Sequence, residues 1–560
     1  MGATDIFGRL ATSLFGCEAL DPSFAFCNDV PKGGVLLALP VLLATGLLSH
    51  STKYFHLPNG YYRLDTIFLV LAFMALARIE VVEGLRYYSP GEWGNLLGID
   101  RIPEAKTLRK KIKILSSEGE PKQWAGELSR DWMEMEPEAA GTLYIDGHVR
   151  VYNGHQTELP RHYVSRQKLC LRATTDYWVN AMDGRPFFVI NKEVDPGLLN
   201  VLENEIVPRL EEEVPNQPTL LELQENPYIH RFTLVFDREG YSPGFAKRMW
   251  DLRIACLSYH KYPEDAWPAE EFNEKLVKLH AGNEVKMKIA ERGSFLGEQL
   301  WVREIRKLTD SGHQTSVIAT DYLGDCGPIS AAMFARWSQE NFFKYMRKHY
   351  SLDRLTDYST EEISDTTVVV SPQYREIDGE VRRKVSGLNW KKKKFADIIL
   401  SDEIEPEKVE AYMQKKTEML EEIIELKKEI NELKLCRKNT PKHVTMGDLP
   451  EEDQFRRLGM ASRYLIDTIK MIAYRSETSM VSIAREEMSH TDEARSLLQA
   501  VYSTEVDLRP DYDNETLTVR LHQLANRSSG KIIKKLCSEM NDTMTIFPGT
   551  NLRLVYSLVS

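Results

Sequence analysis

Two apolar runs of β propensity each end on an aspartate. Leu143-Tyr-Ile-Asp146 is followed by Gly147 and His148, and Leu234-Val-Phe-Asp237 by Arg238. A strand that stops at a carboxylate delivers it to the edge of a sheet, where ligands bind. A third acid, Glu340, sits inside a helical pattern, Arg336-Trp-Ser-Gln-Glu340-Asn-Phe-Phe. Carboxylates are hard oxygen donors suited to Mg²⁺ or Mn²⁺. Two such ions about 4 Å apart can activate a nucleophile and stabilise the leaving oxygen of a phosphodiester. Asp146, Asp237 and Glu340 are therefore read as a catalytic set that binds two metal ions.

Cations surround these acids in sequence. Met333, Arg336, Glu340, Lys344 and Arg347 recur at intervals of 3, 4, 4 and 3, so they share one face of a helix. A carboxylate set between cations suits an anionic substrate, with Arg336, Lys344 and Arg347 on phosphates. Arg238, beside Asp237, is a further phosphate candidate or a partner in an internal salt bridge. Ordinary surface ion pairs are the alternative for the helix. His148 falls two residues after Asp146 and so on the same side of a strand, as a neighbour of the metal shell or a structural group. Asp176 and Asp321 lie near strand ends, but nothing fixes their direction, and they stay outside the candidate site.

The elements that must position these groups follow from periodicity. Residues 1–135 read as helical. Within them, Glu92–Leu97 forms a short helix closed by Gly98, and Pro103 opens a second. In the second, Leu108, Ile112 and Leu115 make an inward stripe and leave Lys106, Arg109, Lys110 and Lys113 outside. This is the layout of a helix-turn-helix over 92–115, whose second helix would enter DNA, or else a solvated surface helix. Strands are expected at 142–152, 163–174 and 186–190, then a helix at 198–210, a strand at 232–236, a helix at 245–252 and a strand at 254–259. Three strands, then helix, strand, helix, strand is the order of a ribonuclease H-like α/β domain, expected over 136–264 and 326–355. Alternating segments between 265 and 325 read as a β-rich insertion. Residues 356–410 read as a basic linker holding Arg382–Lys384 and Lys391–Lys394, either solvated or a track for phosphates. Residues 411–560 read as a helical region ending in a strand. In it Met419, Ile423, Leu426, Ile430 and Leu433 form a short heptad seam, for a helical hairpin or a dimer.

With these elements in order, the chain resembles the Asp-Asp-Glu transposases of bacterial insertion sequences. The resemblance is to the branch with a β-strand insertion before the Glu and a Tyr-x2-Arg-x3-Glu-x6-Lys signature around it. Arg336, Glu340 and Arg347 fall on the Arg, Glu and Lys positions, while Met333 stands where that signature has Tyr. The phrases at 171–180 and 236–242 also look like transposase-like bacterial proteins. The resemblance implies a protein that binds the ends of a mobile element, nicks DNA with a metal-activated water, and joins the freed 3′ hydroxyl to target DNA as a homodimer or larger assembly. It also implies an aromatic in the insertion that holds a flipped base, with Trp301 and Trp267 as candidates or as core. Another ribonuclease H-like nuclease and an inactive DNA-binding relic are the competing readings.

Composition bounds these readings. A chain of 560 residues has room for about three or four domains. With 42% hydrophobic and 28% charged residues it reads as folded, and a net charge of −11 argues against non-specific coating of nucleic acid. Seven scattered cysteines without a Cys-x-x-Cys speak for a reducing compartment, taken as cytoplasmic, and against structural zinc. No cleavable signal sequence is apparent. The apolar runs at 33–48 and 66–77 fall short of the roughly 20 residues a membrane span needs and are expected as buried core helices, with no membrane partner.

Overall fold

A computed structural model describes residues 5–14, 21–152, 159, 161–164, 167–192, 195–263, 265–278, 284–297, 300–334, 337–354, 360–361, 365, 368–396, 406–450, 457–458, 460–488 and 493–559. Among these, the side chains of 13–14, 163, 337–340, 360–361, 406–408, 457–458 and 527–528 are not described. The chain is a mixed α/β protein that divides into two compact units. One comprises 1–153, 161–359 and 458–560; the other comprises 154–160 and 360–457.

The larger unit is organised by a ten-stranded sheet. After a short N-terminal strand β1 (Cys27–Val30), which belongs to a separate sheet, its strands are β2 (Thr142–Val151), β3 (Arg161–Val164), β4 (Leu169–Ala181), β5 (Pro186–Lys192), β6 (Thr233–Phe236), β7 (Ala255–Tyr259), β8 (Asn273–Lys278), β9 (Glu284–Leu296), β10 (Leu300–Leu308) and β11 (Gln314–Ala319). β2 is antiparallel to β4, which is antiparallel to β5. On its other side β2 runs parallel to β6, and β6 parallel to β7. β7 then pairs antiparallel with β11, and β10, β9 and β8 follow as an antiparallel meander. The strands from 265–325 thus extend the same sheet.

The helices of the larger unit share one core. The apolar runs at 33–48 and 66–77 form short helices at Gly33–Ala38, Leu39–Ala44 and Leu64–Leu76, most of whose residues are buried. No helix among the described residues is long and apolar enough to cross a membrane. The Leu64–Leu76 and Pro121–Met135 helices pack on the Ala461–Arg485 helix. That helix is buried almost all round, although it carries Arg463, Asp467, Lys470, Arg475 and Glu477. A helix buried on every side needs partners for such groups, and buried charges persist only when paired. Beside it, β1 pairs with Val506–Asp511 in a four-stranded sheet, so residues near both chain ends share one sheet.

In the smaller unit, the stretch read from sequence as a basic linker contains a 25-residue helix, Pro372–Ala396. It packs against the Pro406–Asn439 helix. Met419, Ile423, Leu426 and Ile430 of the heptad seam pack on Val385, Leu388 and Phe395, which makes the seam an intramolecular hairpin contact. Lys384 is paired with Glu429 at 2.8 Å and Lys391 with Glu422, so part of the basic run is spent within the hairpin.

Candidate active site

Alternation along β2 sets the site. Tyr144, Asp146, His148 and Arg150 occupy every second position and so face one side of the sheet. On the neighbouring parallel strand Tyr144 is opposite Val235, and Val235 is opposite Leu257 on β7. One alternation further along, Asp146, Asp237 and Tyr259 occupy the next row on that face. The Asp237 backbone is still extended (φ −79°, ψ 178°), which preserves the alternation. Adjacent strands lie about 4.8 Å apart, so the two aspartates start from neighbouring positions. Both are half-buried. Asp237 also caps the turn that follows it, accepting a hydrogen bond from the Arg238 backbone N–H at 2.5 Å.

Two helices cover this face. Cys326–Phe334 is apolar on all sides and lies over the Tyr144 row: the Tyr144 hydroxyl donates to the Ala332 carbonyl, and the Tyr259 hydroxyl donates to the Met333 carbonyl at 3.3 Å. Trp337–His349 lies over the next rows. Phe343 stacks on His148 with ring centroids 5.1 Å apart, and Phe342 meets Trp178 of β4 at 5.3 Å. Trp178 is the cross-strand partner of Asp146. Met333 lies in the first helix and is wholly buried. Glu340 is in the second helix, one turn before Phe343, and its side chain is outside the described set; Arg336 lies outside the described residues altogether. Lys344 is exposed and Arg347 half-buried on that helix.

His148 is a fixed group. Its Nε2 lies 2.6 Å from Asp353 Oδ1, and its ring is buried against Phe343. Burial lowers its pKa, partly offset by the bond to Asp353. Arg238 is exposed, its guanidinium 5.6 Å from the Tyr259 ring centre. Glu239 has a raised pKa, through burial and then through the charges of Asp195 and Asp237, which marks a concentration of negative charge beside the site. Lys307 of β10 lies on the same face as Tyr259 and approaches the Phe334 ring at 5.7 Å. Nothing in its local sequence singled it out, because its place follows only from sheet order.

Behind the aspartates the face is anchored by charge. Arg150 pairs with Asp467 through two bonds of 2.6 and 3.2 Å and with Asp176, and Arg463 also binds Asp176. All four side chains are almost fully buried. Asp176 is thus a structural partner of two arginines. Lys470 lies one turn from Asp467, and burial pushes its ammonium down to about 8. Asp321 serves a turn, accepting from the backbone N–H groups of Leu323 and Gly324.

The two candidate tryptophans differ. Trp267 is buried between the guanidinium groups of Arg306 and Arg292, at 4.3 and 4.6 Å. Trp301 is 44% exposed and sits beside Tyr322 at 5.6 Å. It lies over Gly293 of β9, where a Cβ would approach the indole to 2.5 Å. In the 92–115 region the helices run Pro90–Asn95 and Ala105–Ser117, with Leu108, Ile112 and Leu115 buried and Lys106, Arg109, Lys110 and Lys113 exposed. Arg109 pairs with Glu83 at 2.9 Å. Away from the sheet, Asp29, Asp507 and His522 form a cluster of metal-ligating type among the described residues. His522 already binds Asp507 at 3.1 Å, and Arg509 and Arg520 also neutralise Asp507.

The family profile described as "Transposase protein" matches residues 1–560, and the chain belongs to that family. No curated protein matches the chain. A cryo-EM structure of the piggyBac transposase synaptic complex with hairpin DNA is similar at 10% identity and a TM-score of 0.27. The match covers 58% of this chain and 66% of that one, just under two thirds of its length.

Proposed function

We propose that this protein is a DNA transposase whose Asp146, Asp237 and Glu340 cleave DNA at the ends of a mobile element and join the freed ends to target DNA. The observation that carries this reading is the lateral neighbourhood of Asp146 and Asp237 on adjacent parallel strands beneath two covering helices. Ala332 lies over Tyr144 and Phe343 over His148, and Asp146 is the position between them. The chain that runs from one contact to the other carries Glu340. The order β5, β4, β2, β6, β7, with three antiparallel strands followed by two parallel ones, supports a ribonuclease H-like catalytic domain with β8–β11 as its insertion.

The donor set fits Mg²⁺ or Mn²⁺. It consists of carboxylate oxygens, and Glu239 beside it has a pKa raised first by burial and then by the charges of Asp195 and Asp237. Two such ions, when bound, supply an activated water and stabilise charge on the leaving oxygen. The chain's own residues position the DNA. Arg238, Lys344 and Arg347, with Arg336, meet phosphates around the carboxylates. The His148–Asp353 contact and the Phe343 ring hold β2 and the Glu340 helix in register. Lys106, Arg109, Lys110 and Lys113 engage the element's ends, and the protein acts as a homodimer or larger assembly on DNA.

The test is nicking and joining of a duplex carrying the inverted repeats that flank the coding sequence, with Mg²⁺ or Mn²⁺ and with chelator. Cleavage at the repeat end only when metal is present is the expected result. A duplex that is bound but never nicked with either ion overturns the reading.

End binding gives a second expectation. Arg109→Ala with Lys110→Ala should weaken binding and flatten its dependence on salt, by about 1 in the slope of log K against log salt for each phosphate no longer neutralised. An unchanged slope, measured by fluorescence anisotropy across a salt series, would return this helix to the role of a solvated surface.

A further inference from the structure

We propose that Asp29, Asp507 and His522 bind a divalent transition-metal ion of the Zn²⁺ or Co²⁺ type. The ion would fasten β1 to the Val506–Asp511 and Thr516–Leu521 strands of the four-stranded sheet.

Alternation brings the three ligands to one face. In Thr516–Leu521, Leu517, Val519 and Leu521 are buried, so Arg520 and then His522 lie on the polar side of the sheet. Asp507 is the cross-strand partner of Arg520 and falls between the buried Val506 and Leu508, so it shares that side. β1 contributes through a bulge. Cys27 pairs with Leu508 and Val30 with Val506, which leaves both Asn28 and Asp29 opposite Asp507. A bulge re-aims a side chain, and Asp29 takes a left-handed φ of 51°. Its carboxylate thereby faces the same imidazole nitrogen as Asp507.

The donor atoms have the spacing such an ion requires. His522 Nε2 lies 3.1 Å from Asp507 Oδ1 and 3.7 Å from Asp29 Oδ1, and the donor atoms of all three residues lie within 4.8 Å of one another. Bonds of about 2.0 Å to the corners of a tetrahedron set donors about 3.3 Å apart, and three protein ligands leave the fourth corner to water. An imidazole nitrogen favours Zn²⁺ or Co²⁺ over Mg²⁺, which prefers oxygen throughout. The other side of the ring is also suited: Nδ1 is 3.8 Å from Glu505 Oε2, and a carboxylate there orients a ligating imidazole and raises its basicity. Arg509 and Arg520 approach Oδ2 of Asp507, at 3.4 and 3.9 Å, and leave Oδ1 for the ion. Metal binding displaces the Nε2 proton now donated to Asp507 to solvent, while Nδ1 keeps its proton toward Glu505. A plain cross-strand ion pair would need only Asp507 and His522. The bulge adds a second carboxylate that is 70% exposed and accepts no hydrogen bond among the described residues. None of these residues belongs to the candidate active site, so the inference is independent of the DNA-cleavage reading.

Zinc uptake by the full-length protein tests it. Protein stripped by chelator is titrated with Zn²⁺ against a chromophoric chelator, in excess Mg²⁺ to occupy carboxylate-only sites. The wild type and Asp237→Asn should each take up a Zn²⁺ ion that His522→Gln does not. Glu505→Gln should bind that ion about tenfold more weakly, and Asp29→Asn more weakly still. Asp29 is exposed, so Asp29→Asn keeps the test open should His522→Gln misfold, which circular dichroism of the metal-free proteins reports. X-ray absorption at the zinc edge should show an imidazole among oxygen ligands and no sulfur. Zinc should raise the melting temperature of the wild type and leave that of His522→Gln in place. Equal uptake by the wild type and a folded His522→Gln, unchanged affinity in Asp29→Asn, loss of the ion in Asp237→Asn, or sulfur in the coordination shell would each overturn the proposal.

Discussion

The Asp237→Asn protein is expected to bind the element's ends like the wild type and yet nick them about a thousandfold more slowly. Asparagine keeps the size of the side chain and an oxygen able to cap the Arg238 N–H, so the turn after β6 should survive. What it removes is the charge that a hard divalent cation depends on. Loss of metal-based stabilisation worth several kcal/mol at the transition state corresponds to about three orders of magnitude in rate. Asp146→Asn should behave alike, because Asp146 is its neighbour on the parallel strand, and Glu340→Gln should do so if the covering helix completes the set. The measurement is nicking and strand joining on an end-bearing duplex beside a gel-shift assay. Near-normal nicking by Asp237→Asn would remove this residue from the catalytic set. Loss of binding along with cleavage would report misfolding, and a melting curve distinguishes the two.

Asp467→Ala should destabilise the larger unit by about 3–5 kcal/mol, the usual effect of removing one partner from a buried ion pair. Asp467 and Arg150 are each 2% exposed, and the alanine variant leaves Arg150 with only Asp176, a carboxylate it already shares with Arg463. The buried Lys470 would also lose the favourable charge of Asp467. The cost arises because water cannot reach the stranded guanidinium to replace the missing carboxylate. Urea unfolding followed by tryptophan fluorescence reads the change. Asp251→Ala, which removes an exposed i,i+4 pair with Lys247, is the control and should leave the transition in place. An Asp467→Ala midpoint equal to that of the control would mean that the network is hydrated and contributes little. Arg150 is four residues from Asp146 on the same strand face. Loosening it should therefore lower nicking as well, with a smaller effect than loss of either carboxylate proposed as catalytic.

Much of the local structure is legible along the chain. Apolar runs of four or five β-forming residues fall in strands. Asp237 follows the last residue of β6, whereas Asp146 lies inside β2, which runs on to Val151 instead of stopping at the carboxylate, and the two acids stand in one row of the sheet. Leu108, Ile112 and Leu115 recur at helical spacing and are buried, while the lysines and arginine between them are exposed. The heptad seam is real as a contact, but its partner is the Pro372–Ala396 helix, whose own apolar positions are too widely spread among lysines and arginines to stand out in a one-dimensional reading. Met333 lies in the Cys326–Phe334 helix, whose residues are mostly apolar and buried.

The sequence by itself determined the helical stripe of 105–117, the β-forming runs around the two aspartates and which faces are apolar, because those properties depend on residue types at spacings of two to four. The helix over 372–396 and the strands at 506–511 and 516–521 were not read from it. Tertiary structure alone decided which strands lie side by side, and hence that Asp146 and Asp237 become neighbours. It also decided that Asp176, undirected in sequence, neutralises Arg150 and Arg463, the latter 287 residues away. It separated Trp267, enclosed by two guanidinium groups, from Trp301, left half-exposed over a glycine. The physical reason is common to all three. A periodic pattern records only that a side chain must be buried or paired, whereas the identity of its partner depends on the packing of segments far apart in the chain, which no local spacing encodes.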